Sequence, residues 1–594
     1  MDILGISCFY HDAAAALLRD GMLVAAAEEE RFTRKKHDFA YPQRAIDFCL
    51  RQAQIKGGDL DYVVFYEKPL VKFERILMTA LGAYPNAWRV FREAMITWFN
   101  DKLWIKGLMV RTLGVAPERV LFCEHHLSHA ASALFCSPFE EAAILTIDGV
   151  GEWTTATVGR GRGDWHTGAG NDLSLCGEIR FPHSLGLLYS AFTAYLGFEV
   201  NEGEYKVMGM APYGQPHFLD EVHRLVHVAD DGSFRLNMDY FSFYHSTDHT
   251  YNRKFVDLFG PSRARESEFY TLSTHPQREH PQWDDRVAEQ NQRYADIAAS
   301  IQSATEEIIL KMARHAHAST GLNKLCLAGG VALNSVANGR ILRETPYIQP
   351  AAGDSGGALG AALYVHHVLL KQPRRFVMEH AYWGEAHGEA ATADLLRQQG
   401  VRYETLDDVE RLLERVVDSM TRGKVVGWFQ GRFEWGPRAL GNRSILADPR
   451  RAEMKQTVNA KIKFREPFRP FAPAVLEERT VEYFDLSEPS RHYPARFMLL
   501  VEPICPARQE SIAAVNHLGT GRLQTIQPAI NPRYYRLVEK FAQATGVPVV
   551  LNTSFNLRGE PIVASPADAL RTFRNSGLDM LVLGNLLVLK GDLT

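Results

Sequence analysis

Residues 142–151 read Ala-Ala-Ile-Leu-Thr-Ile-Asp-Gly-Val-Gly, an apolar run that ends in an aspartate and a glycine-rich turn. A short uncharged run bounded by such a turn predicts a buried strand. In α/β folds, a carboxylate at the C-terminal end of a strand, followed by a glycine turn, marks the place where ligands and metals bind. Residues 153–158 predict a returning strand. This stretch therefore indicates an α/β sheet that carries a site at its edge.

A histidine pair lies just before this strand. Residues 123–130 read Cys-Glu-His-His-Leu-Ser-His-Ala, with His125 and His129 four positions apart. On a helix these two residues share one face, so both imidazoles can reach a single point. A neutral imidazole suits zinc, iron, copper or nickel, and the carboxylate of Asp148 at the end of the next strand raises the odds of a metal site. We therefore predict a metal site, with a helix face of capping or packing histidines as the alternative.

The strand–turn pattern recurs in two other places. At residues 3–27 an Asp20-Gly21 turn joins two apolar runs and predicts a hairpin. An apolar run also precedes the glycines at 329–330, and a glycine-rich stretch follows at 353–362. Because glycine turns let backbone N–H groups approach phosphate, the pattern predicts two related lobes with a nucleotide cleft. The predicted nucleotide-binding residues are Gly149, Gly329, Gly330, Asn334 and Ser355.

Composition indicates a cytoplasmic enzyme. The 594 residues contain 66 Lys and Arg against 70 Asp and Glu, so no basic excess favours a nucleic-acid partner. No apolar stretch has the length of a membrane span, and the first residues lack the basic region of a signal peptide. The seven cysteines are scattered without a Cys-x-x-Cys pair, which predicts neither a disulfide framework nor a zinc finger. We therefore expect no nucleic-acid and no membrane partner.

Helical patterns mark two further segments. Residues 65–113 are rich in aromatic and aliphatic side chains, including Trp88 and Trp104, and predict helices. These aromatic residues are expected to form core or, alternatively, a pocket for a bulky substrate. Residues 286–318 repeat apolar side chains at helical spacing. The polar stretch 242–285 predicts an irregular insert, which could also contribute to substrate specificity.

A basic region lies beyond a predicted domain boundary at residues 372–375. Arginines and a lysine occur in three loops, 431–450, 463–471 and 519–525, and an Asn-Thr-Ser-Phe-Asn motif follows at 552–556. Guanidinium groups bind phosphate oxygens in pairs and keep their charge. The region therefore predicts an acyl-phosphate or polyphosphate pocket, with surface ion pairs as the alternative.

Several motifs occur together, in order, in one family. The chain resembles the nodulation-type O-carbamoyltransferases, a group that includes antibiotic O-carbamoyltransferases of the nebramycin, cephem and novobiocin type. The likeness lies in His11-Asp12, in residues 28–37 (Glu-Glu-Glu-Arg-Phe-Thr-Arg-Lys-Lys-His), in residues 201–212 (Asn-Glu-Gly-Glu-Tyr-Lys-Val-Met-Gly-Met-Ala-Pro), in the histidine pair and in the glycine loops.

The resemblance implies an α/β protein of two domains. For residues 1–371 it implies a duplicated actin/Hsp70-like ATPase fold, similar to the tRNA threonylcarbamoyl transferase subunit. For residues 376–594 it implies an α/β twisted-sheet domain, similar to the enzymes that make carbamoyl-type adenylates such as the threonylcarbamoyl-adenylate synthases.

The resemblance also implies a reaction in two steps. Carbamoyl phosphate and ATP, with Mg²⁺, would give carbamoyl-adenylate, and the carbamoyl group would pass in the N-terminal domain to a hydroxyl of a small-molecule, secondary-metabolite acceptor. The metal would be held by His125, His129, Asp148 and Asp354; two neutral imidazoles and two carboxylates suit Fe(II), Mn(II) or Zn(II), and the resemblance implies iron. The expected base for the acceptor hydroxyl is His11, with a turn-capping role as the alternative. The residues carried onto the carbamoyl phosphate and ATP site are Arg438, Lys463, Arg469, Arg522, Asn552, Ser554 and Asn556, with Arg443 and Arg465 as further candidates.

Two other functions stay open from the sequence. A tRNA threonylcarbamoylation-type enzyme would share the fold, but the acidic balance disfavours a tRNA substrate. An actin/Hsp70-like module that uses ATP only as a conformational switch needs neither the histidine pair nor a second anion site. The identity of the acceptor alcohol is open, and a homodimer is one assembly to test.

Overall fold

The chain folds into two compact units. A computed structural model describes residues 1–100, 102–341 and 346–593. The first unit comprises Met1–Phe9, Leu17–Met22 and Gln54–Val377; the second comprises Tyr10–Ala16, Leu23–Ala53 and Met378–Thr594. Two early segments therefore pack with the second unit. The predicted assignment of residues 1–371 and 376–594 to separate activities stays a prediction.

Two five-stranded sheets of identical topology organise the earlier part of the chain. Their orders are β3-β2-β1-β4-β5 and, printed in the same direction, β8-β7-β6-β11-β12. In each sheet three strands that are consecutive in the chain lie side by side, and two further parallel strands continue the sheet beyond the first of the three, β1 or β6. This duplication confirms the predicted actin/Hsp70-like fold. The strands are β1 Asp2–Ser7, β2 Ala14–Arg19, β3 Met22–Glu28, β4 Tyr62–Phe65, β5 Val120–Phe122, β6 Glu141–Ile147, β7 Thr154–Arg162, β8 Asp172–Arg180, β9 Val226–Val228, β10 Phe234–Leu236, β11 Leu325–Ala328 and β12 Tyr347–Ile348.

Helices cover both sheets and confirm the two helical predictions. The predicted hairpin is also confirmed, since Asp20 and Gly21 both adopt positive φ, as a two-residue type I′ turn requires. The predicted insert at 242–285 contains one short helix, α10. The helices are α1 Glu30–Thr33, α2 Gln43–Ala53, α3 Pro69–Gly82, α4 Trp88–Asn100, α5 Ile105–Leu113, α6 His125–Leu134, α7 Leu185–Tyr195, α8 Glu204–Met210, α9 Leu219–Leu225, α10 Arg253–Phe259, α11 Asp285–Thr320, α12 Ser335–Arg340 and α13 Asp354–Leu363.

Most of the glycine-rich stretch at 353–362 lies in helix α13 and not in a turn, and phosphate binding at its N-terminal end stays a prediction. Its glycines serve close packing. A Cβ atom added at Gly360 would lie 1.7 Å from the backbone oxygen of Ser128 on α6, and one at Gly357 would lie 2.9 Å from the Tyr66 ring. Only glycine permits this approach of two helix backbones. The contact brings the histidine pair on α6 next to Asp354 on α13.

Gly360→Ala is expected to destabilise the protein by about 1–3 kcal/mol, because the new methyl group meets a backbone oxygen that cannot rotate away. Urea unfolding monitored by circular dichroism measures the change. The matched control is Gly177→Ala, since a Cβ atom there meets no atom within 4 Å. An unchanged unfolding midpoint for Gly360→Ala would contradict the packing argument.

The second unit is built on a nine-stranded mixed sheet, which confirms the α/β prediction for this region. Its order is β13-β21-β20-β14-β15-β19-β16-β18-β17. No helix in the described ranges is long and apolar enough to cross a membrane. The remaining strands are β13 Glu404–Thr405, β14 Val426–Phe429, β15 Arg443–Ala447, β16 Ala472–Leu476, β17 Leu500–Pro503, β18 Thr520–Ile526, β19 Val549–Ser554, β20 Met580–Leu583 and β21 Leu586–Leu589; the helices are α14 Glu389–Gln398, α15 Val409–Thr421, α16 Glu453–Val458, α17 Tyr493–Arg496, α18 Pro532–Thr545 and α19 Pro566–Arg574.

Candidate metal and anion sites

The four predicted metal ligands meet in the first unit. His125 and His129 lie on one face of α6, Asp148 follows β6, and Asp354 opens α13. One ligand atom from each of these residues lies within 4.8 Å of the other three, and all four residues are buried. Strands β6 and β11 run parallel, so the turns after them share one edge of the sheet. This is the edge where α/β folds bind ligands.

The spacing of the ligand atoms fits a transition-metal ion. His125 Nε2 lies 3.0 Å from His129 Nε2 and 3.1 Å from Asp148 Oδ2. Each histidine Nε2 is 3.7 Å from Asp354 Oδ1, and His129 Nε2 is 3.8 Å from Asp148 Oδ2. In a tetrahedral site with bonds of 2.0–2.1 Å, neighbouring ligand atoms are about 3.4 Å apart.

Outer groups fix the two carboxylates. The Gly330 N–H donates to Asp148 Oδ1 at 2.8 Å, and the Tyr66 hydroxyl donates to Asp354 Oδ2 at 3.3 Å. Such contacts orient ligating oxygens and tune the affinity of a metal site. Tyr66 directly follows the last residue of β4, so a third strand end contributes to the site. Sequence reasoning missed this residue.

Charge at this site is distributed between imidazole and carboxylate. Burial alone would lower the pKa of His129, but Asp148 and Asp354 outweigh it and raise that pKa to about 9. Burial alone would raise the pKa of Asp148, but His125 and His129 hold it well below its usual range. Without a metal ion, the site therefore retains a proton on an imidazole at neutral pH.

Four of the five predicted nucleotide-binding residues adjoin the predicted metal ligands. Gly149 and Ser355 are their direct neighbours in the chain, and Gly330 donates to Asp148. Gly329 adopts a φ of 95°, and a Cβ atom there would lie 2.2 Å from the Ile147 oxygen.

The fifth, Asn334, has a different setting. Its side chain caps α12 by accepting from Ala337 N at 3.1 Å, and it exchanges hydrogen bonds with Gln302 on α11. Tyr189 donates to the same Gln302 at 2.9 Å. Asn334 thus belongs to a buried polar network on α11 that the sequence did not indicate.

His11 lies in the second unit, within a histidine–aspartate–histidine cluster. Asp12 Oδ2 is 2.7 Å from His11 Nδ1, and Asp12 Oδ1 is 2.8 Å from His37 Nδ1. The two imidazole rings are 4.9 Å apart, and about a quarter of the His11 side chain is exposed. Sequence reasoning singled out His11 but missed the roles of Asp12 and His37, although both stand in the motifs that it quoted.

The cluster fixes the tautomer of neutral His11. Burial alone would raise the pKa of Asp12, but His11 and His37 outweigh it and hold the pKa of this carboxyl well below its usual range. An ionised carboxylate only accepts hydrogen bonds, so both Nδ1 atoms donate to it. In its neutral form His11 therefore carries the lone pair on Nε2, the nitrogen that a base would use.

Lys463 forms the centre of the predicted anion site in the second unit. Its ammonium donates to Ser554 O at 2.5 Å and to Asn556 Oδ1 at 2.7 Å, and Ser554 Oγ donates to the same Asn556 oxygen. Burial lowers the pKa of Lys463 well below its usual value, and the charges of Arg465, Arg469 and Lys36 lower it further. A bound anion would oppose both effects. Lys36 was not among the predicted site residues.

Asn552 and Arg522 lie on two strands of the same sheet, β19 and β18. Asn552 is fully buried and donates to Gln524 Oε1 at 2.8 Å and to the oxygen of Ala439, the residue after Arg438. It therefore ties the Arg438 loop to β18. Arg522 lies two residues before Gln524 on the same strand, so both side chains point to one face.

Arg443, a further candidate, is fully buried. Its guanidinium donates to the backbone oxygens of Gln430 and Gly431. This arrangement is structural, because the buried cation satisfies carbonyl groups of its own loop.

Comparison with known proteins gives consistent matches along the chain. Residues 2–363 match the carbamoyltransferase N-terminus family and residues 417–590 match the carbamoyltransferase C-terminus family. The chain is 46% identical to an uncharacterized protein of Synechocystis, over 99% of this chain and 96% of that protein. It is 39% identical to nodulation protein NolNO of Sinorhizobium fredii, over 98% of this chain and 79% of that protein. It is 31% identical to the 3′-hydroxymethylcephem-O-carbamoyltransferase of Streptomyces clavuligerus, over 44% of this chain and 48% of that protein.

The fold and the two family matches together define a group-transfer enzyme of two α/β units. The chain belongs to the carbamoyltransferase family, and the resemblance to the nodulation-type enzymes is confirmed.

Proposed function

We propose that this carbamoyltransferase is ATP-dependent, makes carbamoyl-adenylate from carbamoyl phosphate and ATP, and carbamoylates a hydroxyl of a small-molecule acceptor. The observation that carries the proposal is the buried ammonium of Lys463, surrounded by further cations in the second unit. Clustered cations stabilise negative charge that develops on phosphate oxygens. The acceptor class rests on the cephem relative, whose name specifies transfer to a hydroxymethyl oxygen.

The atoms of the first step balance with one water molecule. Cleavage of the phosphate–oxygen bond of carbamoyl phosphate by water gives inorganic phosphate and carbamate. A carbamate oxygen then attacks the α-phosphorus of ATP, and pyrophosphate leaves. Arg438, Lys463, Arg469 and Arg522 are proposed to bind these phosphates, with Asn552, Ser554 and Asn556 holding the loops that carry them. Mg²⁺ is expected to accompany ATP.

In the second step, the acceptor hydroxyl attacks the carbamoyl carbon and AMP leaves. We propose that His11 Nε2 takes the hydroxyl proton, because Asp12 engages the opposite ring nitrogen. Asp12 also stabilises the imidazolium that forms. His37 holds the other oxygen of Asp12 and so fixes the orientation of the carboxylate.

We propose that His125, His129, Asp148 and Asp354 hold one transition-metal ion. The resemblance implies Fe(II), and the same four ligands suit Mn(II) and Zn(II). A bound ion would supply Lewis-acid polarisation of a carbonyl or phosphoryl oxygen. A nucleotide is proposed beside it, at the five residues Gly149, Gly329, Gly330, Asn334 and Ser355.

The decisive experiment is mass spectrometry of the purified protein with ATP and carbamoyl phosphate, without any acceptor. We expect pyrophosphate and inorganic phosphate in equal amounts, with a carbamoyl-AMP species, and no pyrophosphate when carbamoyl phosphate is omitted. Carbamoylation of an alcohol from carbamoyl phosphate alone, at the same rate with and without ATP, would overturn the proposal.

Metal binding to the metal-free protein at pH 7.5 is expected to release about one proton per ion. His129 is protonated at this pH because its pKa is about 9, and a metal ion binds only the neutral imidazole. The apparent metal affinity should therefore rise about tenfold per pH unit up to pH 9 and then level off. Isothermal titration calorimetry with Mn²⁺ or Zn²⁺, in two buffers of different ionisation enthalpy, counts the protons. A buffer-independent enthalpy would exclude this coupling.

The same shift has a consequence for the metal-free protein. The pKa of His129 is about 9 in the folded protein and about 6.5 in the unfolded chain, so protonation of His129 stabilises the fold. This stabilisation is complete below about pH 6.5 and is lost as the pH rises through about 9. The free energy of unfolding of the metal-free protein should therefore fall over this interval.

A further inference from the structure

The helical hairpin of α3 and α4 exposes apolar side chains to an unusual degree. Among the described residues, 19 large hydrophobic side chains are exposed, and seven of them lie between residues 70 and 104. Their exposed fractions run from 52% to 73%. Scattered single exposures are ordinary, but a concentration of this kind marks an interaction surface. The seven are Leu70, Met78, Leu81, Tyr84, Trp88, Ile96 and Trp104.

Helix α3 buries charged side chains and exposes apolar ones. Its buried positions are Lys72 and Arg75, and the Lys72 ammonium contacts the Glu67 carboxylate at 2.5 Å. The outer stripe, in contrast, carries Leu70 and Met78. A helix on the surface of a monomer normally shows the opposite pattern. The outer face of α3 is therefore built to be covered.

Helix α4 continues the same face. Phe73 of α3 packs against Trp98 of α4 with ring centroids 5.6 Å apart, and a short connection joins the helices, so they form an antiparallel hairpin. Trp88 and Ile96 lie on the exposed side of α4, and the core position is taken by Trp98. Of the predicted aromatic core, Trp98 is buried whereas Trp88 and Trp104 are exposed.

Each exposed stripe carries one charge at its centre. On α3 the exposed residues follow the spacing Leu70, Glu74, Met78, and on α4 they follow Trp88, Arg92, Ile96. Residues four apart lie on one helix face. On α3 the acid Glu74 therefore lies between two apolar side chains, and on α4 the base Arg92 does the same. A partner that presents the same two stripes in reverse order would match both charges.

We propose that this face, formed by α3, α4 and Trp104, binds the same face of a second copy of this chain. In a two-fold arrangement, α3 of one copy lies against α4 of the other, and Glu74 meets Arg92 twice. Two antiparallel hairpins then complete a four-helix bundle.

The size of the face supports this assignment. Seven side chains of roughly 200 Å² each, a little over half exposed, offer about 800 Å² per subunit, which is one side of a standard protein interface. The charges of Glu74 and Arg92 balance at the centre of the face, which fits a copy of the same face better than an anionic lipid surface, since that surface attracts clusters of cations.

The test measures the oligomeric state of the full-length protein by sedimentation velocity over a range of concentrations. We expect a dimer whose dissociation constant rises about thirtyfold or more in Trp88→Glu, since a central aromatic residue dominates such an interface. The control is Leu272→Glu, an equally exposed apolar residue outside the face, which should leave the dimer intact. Thermal unfolding of each variant verifies that it is folded.

A charge exchange tests the pairing itself. Glu74→Arg and Arg92→Glu should each weaken the dimer by about tenfold or more, because each places like charges together twice, and the double variant should restore it. A protein that is monomeric at every concentration would overturn the proposal, as would a dimer indifferent to these substitutions. Co-sedimentation of the wild type with phosphatidylglycerol vesicles, lost in Trp88→Glu, would assign the face to lipid instead.

Discussion

Replacing His11 with alanine is expected to lower carbamoylated product by about 10²–10⁴-fold, the usual contribution of a general base. Release of pyrophosphate from ATP and carbamoyl phosphate should continue, because the proposed role of His11 concerns only the acceptor hydroxyl. Mass spectrometry of product and a coupled pyrophosphate assay on the same sample separate the two steps. Equal loss of both activities would contradict this division of roles.

Lys463→Ala should give the opposite pattern, with pyrophosphate release reduced by about a hundredfold or more because a cation at the phosphates is lost. Arg438→Ala is expected to behave in the same way. The matched control is Lys461→Ala, in the same turn of helix, whose exposed ammonium faces Asp579 at 3.6 Å. If Lys463→Ala retains full pyrophosphate release while Lys461→Ala loses it, the anion site has been placed wrongly.

His129→Ala is expected to lose most of the bound metal, since removing one of four ligands should weaken binding by more than the 10–100-fold typical of outer contacts. Plasma mass spectrometry after gel filtration measures the metal content per chain. The matched control is His126→Ala. This neighbour on α6 is equally buried but bonds to Thr146 Oγ1 at 2.6 Å and to the Thr154 oxygen at 2.9 Å.

The His126→Ala control distinguishes loss of a metal ligand from a general loss of stability in α6. His126→Ala removes two buried hydrogen bonds and should lower thermal stability, yet leave the metal content near that of wild type. A stoichiometric metal ion in folded His129→Ala, with full transfer activity, would show that the four ligands were assigned wrongly.

The clustering of three of the four proposed metal ligands could be predicted because local rules govern their positions. His125 and His129 share a helix face by spacing alone, and Asp148 follows a strand whose apolar run is unmistakable. The duplicated sheet order follows from the repeated strand–turn pattern. No spacing rule places Asp354 beside the histidine pair, since that approach depends on the glycines after it, which let α13 pack closely against α6.

Other features depend on contacts between distant parts of the chain. No spacing rule joins Asp12 to His37, or Lys36 to Lys463, because each pair is brought together only by tertiary packing. The same holds for the reversed polarity of α3, where propensity and composition predict the helix but not which face is covered. Periodicity shows that a face exists, and only the fold shows what lies against it.

The division of the chain between the units has a consequence for its synthesis. The second unit needs Leu23–Ala53 together with Met378 and the residues after it, so about 325 residues are translated between Ala53 and Met378, where the later part begins. At 5–20 residues per second, the segment that carries His37 waits roughly 15–65 s for its packing partners. Nascent chains would therefore present this histidine-bearing segment to chaperones and proteases for most of translation, and a slowed ribosome would lengthen that exposure.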